Sequence, residues 1–315
     1  MNNKIIRPCI NCGLDDSKPM FAYTYDFMVR VHKVPPFHMK EVGWTEDTTS
    51  TIVKCNKCGC NYVRDVFPDW ERGRKVASYD KIEQNAYTYK RFAGYDEENW
   101  NVRNLILFAV QEHKKDIKFL DFGAGAGSAS NMARAFGVKC VVAYDPHGAF
   151  GQDEYRHFNC PGIIFTRDKE DLHKLAPFDA VICKSVVEHM FDPLGELKTI
   201  YNLMSRGGYL YINNPLMDLD REIKALLRAK TIKKSDRISH YHPAHVNYLN
   251  PMYFSRLLRS TGFEITPMVF YPPVPLKVNL TDNSYLRKTA KFLLMRILSG
   301  LKLSYKRYIF IARKP

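Results

Sequence analysis

Two cysteine pairs near the start of the chain have the spacing of metal ligands. They are Cys9-x-x-Cys12-Gly and Cys55-x-x-Cys58-Gly. Two cysteines separated by two residues can chelate one ion, and two such pairs complete a tetrahedral site with no open position, which predicts a structural zinc. The 42 residues between the pairs exceed the usual zinc-ribbon spacing. Cys60 is not needed as a ligand in this site, and the alternative ligands are His32 and His38.

A glycine-rich stretch, KFLDFGAGAGS at 118–128, is typical of a loop that holds a nucleotide-like ligand. Gly123, Gly125 and Gly127 allow the backbone to approach a ligand and to take conformations that a side chain would forbid. The dinucleotide fingerprint G-x-G-x-x-G fails because Ser128 stands where its last glycine should be. An acid, Asp121, instead precedes G-x-G-x-G by two residues.

These residues must be positioned by strands that alternate with helices. We predict five strands at 117–123, 139–145, 162–168, 178–185 and 209–215, a sixth within 263–271 and a seventh at 307–314. Helices are predicted at 79–114, 128–137, 194–208 and 250–262. This alternation indicates an α/β fold with a doubly wound, mostly parallel sheet, whose ligands sit at the carboxyl ends of the strands. The expected domains are a zinc-ribbon-like module at 1–75, a helical connector at 76–115 and the α/β domain at 116–315.

The segment FDAVICKSVVEHMFDPLGELKTIYNLMSRGGYLYINNP at 178–215 resembles the fourth-strand region of small-molecule methyltransferases. The matching residues are Phe178, Asp179, Glu188, His189, Asp192, Pro193, Gly207 and Gly208. The glycine loop resembles motif I of class I S-adenosylmethionine-dependent methyltransferases, so the resemblance spans 118–271 and implies their Rossmann-like, seven-stranded sheet. It departs at Lys184-Ser185, where small neutral residues are commoner.

The resemblance also implies roles in binding S-adenosylmethionine. Asp121 would organise the loop and receive the amino group of the ligand, and Asp145, about 20 residues after the glycines, would accept the ribose hydroxyls. Asp168, at the end of the third strand, would reach the adenine amino group, with Asp171 as the alternative. Ser185, at the end of the fourth strand, completes the expected cofactor-binding residues.

Methyl transfer needs a positioned acceptor and a base that removes its proton, and histidine is the commonest such base. His245 is the preferred candidate and His189 the second, although the Glu188-His189 pair also suits packing. The segment SHYHPAHVNYLNPMYFSRLL at 239–258 resembles the family pattern EHxxYxS, which places Tyr248 in the catalytic set. Tyr241 and His242 are expected to line the acceptor pocket. A histidine-rich surface loop is the alternative interpretation of this segment.

The net charge of +14, from 47 basic and 33 acidic residues, favours an anionic partner. Seven Lys/Arg lie within 221–237, and more lie within 285–315, in basic insertions expected at 216–245 and 272–306. Arg221, Lys224 and Arg228, about one helical turn apart, are predicted to face an anionic acceptor. The alternatives are a solvated basic face or peripheral contact with an anionic membrane. No apolar run approaches a membrane span and no secretory h-region opens the chain, so we expect a cytoplasmic protein.

A four-cysteine module before a class I methyltransferase domain resembles bacterial enzymes that tailor sugars and polysaccharides, including deoxysugar nucleotides. In that group the module helps to cover the active site. The resemblance therefore predicts O- or C-methylation of a sugar, nucleotide-sugar or phosphorylated surface glycan. An RNA methyltransferase is the second hypothesis, because zinc modules and positive charge also suit RNA. A non-catalytic protein that binds the cofactor or a partner is the third.

Overall fold

The computed structural model describes residues 5–30, 36–41, 44–66, 96–113, 116–148, 160–214, 245–249, 251–266 and 308–315. The strands are β1 (Ile5–Ile6), β2 (Ser17–Thr24), β3 (Thr49–Cys55), β4 (Asn61–Val63), β5 (Asp65–Val66), β6 (Lys118–Phe122), β7 (Cys140–Tyr144), β8 (Ile163–Thr166), β9 (Phe178–Lys184), β10 (Met204–Asn214), β11 (Asn247–Tyr248), β12 (Glu264–Thr266) and β13 (Tyr308–Arg313). The helices are α1 (Tyr25–Arg30), α2 (Pro36–Glu41), α3 (Asp96–His113), α4 (Ser128–Ala135), α5 (Lys169–Leu175), α6 (Pro193–Leu203) and α7 (Pro251–Ser260).

Seven strands form one large mixed sheet in the order β12-β13-β10-β9-β6-β7-β8. The five strands from β10 to β8 are parallel, whereas β13 runs antiparallel to both β10 and β12. The chain winds outward from β6 to β8 and then returns to place β9 on the other side of β6. That reversal opens a crevice at the carboxyl ends of β6 and β9, which is where ligands bind in such sheets. The predicted doubly wound sheet is confirmed.

The central strands are buried because the sheet is covered on both faces. Every residue of β9 from Phe178 to Cys183 is buried, in the continuous apolar pattern of a parallel strand between two layers. On one face α3 packs Val102, Leu105 and Ala109 against Phe119 of β6. The sequence analysis assigned the segment 76–115 to a connector. The part of this segment that the structure describes is α3, and α3 belongs to the core of the large sheet.

A smaller sheet carries the N-terminal cysteines, and one of its strands comes from a distant part of the chain. Its order is β11-β4-β3-β2, in which Asn247 pairs with Tyr62 and Tyr248 pairs with Asn61. The N-terminal module expected at 1–75 therefore includes residues from the histidine-rich segment. Among the described helices, none has the length and apolar character that crossing a membrane requires.

Candidate functional site

The glycine loop after β6 is held over the end of β7 by its own backbone. Gly123 and Ala124 donate their N–H groups to Tyr144 O at 2.7 and 2.9 Å. The three glycines have φ values of +84°, +55° and +84°, in the left-handed region that favours residues without a Cβ. The loop thus leads from the buried strand directly into α4, as the sequence predicts.

Asp121 fastens this loop to the first turn of α4. Its carboxylate is 5% exposed, and Oδ2 accepts hydrogen bonds from Ser130 N at 3.0 Å and Ser130 Oγ at 2.8 Å. A buried carboxylate with two such donors is well placed to organise the loop. Its expected second contact, with the amino group of a ligand, stays a prediction.

Asp145, at the end of β7, lies against the glycine loop rather than apart from it. Its Oδ2 accepts from Gly125 N at 3.0 Å and its Oδ1 accepts from His147 N at 2.8 Å. Each oxygen keeps further acceptor capacity, so the carboxylate can still receive ribose hydroxyls. Because it holds the loop as well, this residue connects two parts of the expected cofactor site.

The two acids after β8 are both engaged in local contacts. Asp168 caps α5, with Oδ1 accepting from Glu170 N at 2.9 Å. Asp171 accepts from Thr166 Oγ1 at 2.8 Å, and this hydrogen bond holds the pKa of Asp171 below its usual value. The N-cap position alone is enough to explain why an aspartate stands at 168. The expected contact of Asp168 with the adenine of the cofactor stays a prediction.

Ser185 closes the fourth-strand side of the crevice in an unusual backbone conformation. Its φ is +52°, which is uncommon for a residue other than glycine, and its N–H donates to Asn213 O at 2.8 Å. Such a conformation costs about 1–3 kcal/mol and is often found at functional sites. The departure from the family pattern at Lys184-Ser185 therefore coincides with a strained, exposed turn beside the glycine loop.

His189 and His245, which the sequence offered as alternative bases, lie side by side. Their ring centroids are 4.7 Å apart with the planes at 69°. His189 belongs to a single 3-10 turn, Val187–His189, after β9, whereas His245 immediately precedes Val246 and β11. Since His189 N donates to Val186 O at 2.9 Å and Gly123 packs against the Val186 side chain, the pair lies close to the glycine loop.

Glu188 completes a cluster with these two histidines. One ligand atom from each of the three residues lies within 4.8 Å of the others, and Glu188 Oε1 is 4.0 Å from His189 Nε2. With its side-chain amide turned to satisfy its neighbours, Asn214 donates to Glu188 Oε2 at 3.2 Å. A buried carboxylate beside two imidazoles can assist proton removal or bind a divalent cation.

Tyr248 does not join this cluster. It is 1% exposed and packs with Tyr23 and Trp44 in the core of the small sheet. This position favours a structural role for Tyr248, and the sequence could not show it because the match to a family pattern is local. The catalytic role expected of Tyr248 stays a prediction, and the two histidines stay the candidate bases.

The four paired cysteines converge on one point. Their sulfur atoms all lie within 4.8 Å of one another, with Cys9 Sγ 3.4 Å from Cys58 Sγ and Cys12 Sγ 3.6 Å from Cys55 Sγ. In each pair the following glycine has a φ near +72° and closes a turn onto the first cysteine of its pair, since Gly13 N donates to Cys9 O at 2.8 Å and Gly59 N to Cys55 O at 2.9 Å. Cys60 is buried but does not belong to the group of four.

Several predicted residues lie outside the described part of the chain. They are His32, Arg221, Lys224, Arg228, Tyr241 and His242. For His38 only the backbone is described. The expected acceptor-binding roles of the basic insertions therefore stay predictions from the sequence.

One functional candidate was missed by the sequence analysis. Asn247 donates from Nδ2 to Val187 O and to Met190 O, both at 2.7 Å, and so holds the turn that carries Glu188 and His189. Nothing in the local sequence distinguishes this asparagine from one in an exposed loop. Its distant partners become visible only when the segments meet in the fold.

The strand order, the antiparallel β13 and the glycine loop after β6 define the fold of class I S-adenosylmethionine-dependent methyltransferases. Residues 92–267, more than half of the chain, match the family described as a methyltransferase domain, and the chain belongs to this family. The match begins just before α3, in agreement with the packing of that helix on the large sheet.

Curated relatives with sequence similarity to this chain are tRNA U34 carboxymethyltransferases. The protein from Helicobacter pylori is 28% identical over 135 residues, covering 39% of this chain and 50% of the relative. The protein from Pasteurella multocida is 30% identical over 115 residues, covering 34% of this chain and 35% of the relative. The chain thus spans about half the length, or less, of the curated relatives it matches.

Solved structures resemble the chain in fold. The plantazolicin methyltransferase BamL, in complex with a triazolic desmethylPZN analog and SAH, is 14% identical with a TM-score of 0.49, covering 76% of this chain and 94% of that one. An S-adenosylmethionine-dependent methyltransferase from Mesorhizobium loti is 16% identical with a TM-score of 0.41, covering 63% and 91%. At this level of similarity neither structure indicates the substrate of this chain.

Gly123 offers a direct test of the cofactor loop. A Cβ at this position would lie 2.3 Å from Val186 Cγ2, so we expect Gly123→Ala to displace the loop and to weaken S-adenosylmethionine binding at least about tenfold. Gly137→Ala is the matched control, because its φ of +89° imposes a similar backbone cost of about 1–2 kcal/mol while its Cβ would meet nothing within 4 Å. Calorimetric titration measures both affinities, and equal losses would contradict the assignment of the loop.

Proposed function

We propose that this chain transfers the methyl group of S-adenosylmethionine to a hydroxyl or carbon of a sugar, nucleotide-sugar or phosphorylated surface glycan. The observation that carries the proposal is the histidine pair beside the glycine loop, at the carboxyl end of β9. This is the edge of the sheet at which a bound cofactor and an acceptor would meet. The four-cysteine module, through its resemblance to sugar-tailoring enzymes, supports the sugar class.

The residues of the loop fit the cofactor. Buried Asp121 holds the start of α4, the three glycines leave room for close approach, and Asp145 offers carboxylate oxygens at the end of β7. When bound, S-adenosylmethionine supplies an activated methyl group. The protein then has to orient the acceptor and remove its proton.

We assign the removal of the acceptor proton to His245, with His189 as the second candidate. The His189 and His245 rings lie edge to face, and the buried carboxylate of Glu188 lies 4.0 Å from His189 Nε2. Proton transfer to a positioned base contributes about 10²–10⁴-fold to such reactions. With the cofactor bound, His245 would hold the proton that the acceptor hydroxyl loses.

We also propose that Cys9, Cys12, Cys55 and Cys58 bind one structural zinc ion. The donors are four sulfurs that already converge, and both glycine turns shape the backbone around them. Four thiolates complete a tetrahedral shell and leave no position for a substrate. The ion would therefore hold the small sheet together and take no part in methyl transfer.

RNA methylation is a second candidate that two observations favour. The chain carries a net charge of +14, and its curated relatives are tRNA U34 carboxymethyltransferases. The proposed acceptor class and this alternative predict different products from the same cofactor. The basic insertions, with Arg221, Lys224 and Arg228, would contact anionic groups in either case.

One experiment separates the two acceptor classes. The protein is incubated with methyl-tritiated S-adenosylmethionine and either a panel of nucleotide-sugars and lipid-linked glycans or total bacterial tRNA, at physiological salt. We expect the label in the sugar fraction, and the Gly123→Ala variant sets the background. Label in tRNA would establish the second candidate. Cofactor binding without transfer to any of these acceptors would favour a non-catalytic protein.

A further inference from the structure

Arg7 is a buried arginine whose guanidinium contacts three separate segments of the chain. The residue is 2% exposed. Its Nε and Nη2 donate to Val63 O at 3.1 and 2.7 Å, its Nη1 donates to Phe191 O at 2.8 Å, and Nη2 donates to Val246 O at 2.7 Å. Nη1 also reaches Asn247 Oδ1 at 3.3 Å.

The three segments are those that carry the small sheet and the two candidate bases. Val63 ends β4, Phe191 lies two residues after His189, and Val246 immediately follows His245. The backbone of Arg7 is itself tied to the same region, because its N–H donates to Arg64 O at 3.0 Å. One side chain therefore links the N-terminal module to both histidine-bearing segments.

The two histidine-bearing segments also contact each other directly. Val246 N donates to Glu188 O at 2.9 Å, and Asn247 Nδ2 donates to the carbonyls of Val187 and Met190. Because Arg7 in turn donates to Asn247 Oδ1, it fixes the asparagine from the opposite side. These contacts form one network around the turn at 187–190.

Burying the charged guanidinium of Arg7 costs more free energy than burying an apolar side chain at the same position would. All the hydrogen bonds named above end on carbonyl oxygens, and burial lowers the pKa of Arg7 to about 10, so it stays charged at neutral pH. Burying a charge is unfavourable, and apolar residues often pack as well or better in such positions. The rings of Phe191 and Tyr62, at 5.3 and 5.9 Å from Cζ, offset part of that cost.

We propose that Arg7 is a positioning residue that sets the distance between His189 and His245 from within the N-terminal module. The planar fork of an arginine can hold several carbonyls in fixed directions at once, which neither a lysine nor an apolar side chain can do. The four-cysteine module is then part of the acceptor side of the site through Arg7, and the cofactor side, built on β6 and β7, is independent of it. The inference deepens the proposed function and rests on it for its catalytic consequence.

The test follows the histidine pair itself by NMR. Protein labelled at histidine gives ring-to-ring cross-peaks for His189 and His245, which His189→Gln and His245→Gln identify. We expect Arg7→Met to lose the cross-peak between the two rings, while zinc content and S-adenosylmethionine affinity stay at wild-type values. Where an acceptor has been found, we expect kcat to fall about 10²-fold, as a displacement near 1 Å can cause, with an unchanged KM for the cofactor.

Two further variants keep the result interpretable. Arg64→Met removes a partly exposed arginine of the same module, paired with Asp65 at 3.2 Å, and should leave the cross-peak and turnover unchanged. Arg7→Lys keeps the charge but not the fork, and should fold yet still lose the cross-peak. Should Arg7→Met fail to fold, the lysine variant decides the question, and a retained cross-peak in a folded Arg7 variant overturns the proposal.

The NMR readout does not depend on the reaction that the protein performs. If no acceptor is ever methylated but the cross-peak vanishes in Arg7→Met, the proposed function fails while the positioning role stands. If methyl transfer is found and the cross-peak persists, the positioning role fails alone. A loss of zinc or of cofactor affinity in Arg7→Lys would show that Arg7 stabilises the whole fold, which also overturns the inference.

Discussion

Replacing His245 with alanine is expected to lower the rate of methyl transfer about 10²–10⁴-fold, the usual contribution of a positioned general base. Affinity for S-adenosylmethionine should not change, since the residues expected to bind it lie on β6 or follow β6, β7, β8 and β9, and none belongs to the segment of His245. Steady-state kinetics with the acceptor from the labelling screen give the rate of methyl transfer, and calorimetric titration gives the affinity for the cofactor.

The neighbouring ring supplies the comparison that separates the two candidates. His189→Ala is expected to slow turnover less than His245→Ala. If the two histidines act as a unit, the double variant should turn over no more slowly than the slower of the two single variants. His173→Ala, an exposed histidine on α5, is the control for removing an imidazole. Unchanged turnover in His245→Ala would remove this residue from the mechanism, and a larger loss in His189→Ala would exchange their roles.

Replacing Cys55 with serine is expected to abolish zinc retention and to unfold the small sheet. Structural zinc sites of this type contribute about 10–16 kcal/mol of apparent binding free energy, most of which is folding free energy. Because β11 pairs with β4, loss of the module should also release the segment that carries His245 and slow methyl transfer. Metal analysis after gel filtration gives the zinc content, and thermal unfolding gives the stability.

Cys60 provides a matched control for that experiment. It is buried and lies only five positions from Cys55, yet its sulfur is not one of the four that converge. Cys60→Ser should therefore keep one equivalent of zinc, because the serine hydroxyl can replace the thiol as the donor to Asn61 O. Equal zinc loss in the two variants, or wild-type protein that binds no zinc under reducing conditions, would contradict the four-cysteine assignment.

Most of the large sheet could be predicted from the sequence because its signals are local. The apolar run of β9 and the glycine turns after β6 are each contained within a dozen residues, and the same holds for the Asp192-Pro193 start of α6, where Asp192 Oδ1 accepts from Gly195 N at 3.0 Å. Strand periodicity and helix capping are set by neighbouring residues, so both can be predicted without any knowledge of the fold. The packing of α3 on the sheet was missed because the sequence shows an apolar helical face but not its partner.

The sequence by itself determined the class of the domain, the glycine loop with Asp121 and Asp145, and each of the two cysteine pairs, because these depend on residue types at short spacings. Tertiary structure decided which histidines meet, that Tyr248 belongs to the core of the small sheet, and that Arg7 is buried rather than exposed. Arg7 and Val246 are 239 positions apart, yet joined by a hydrogen bond of 2.7 Å. Local spacing carries no information about contacts at such separations, since they form only when the hydrophobic cores of the two sheets bring the segments together.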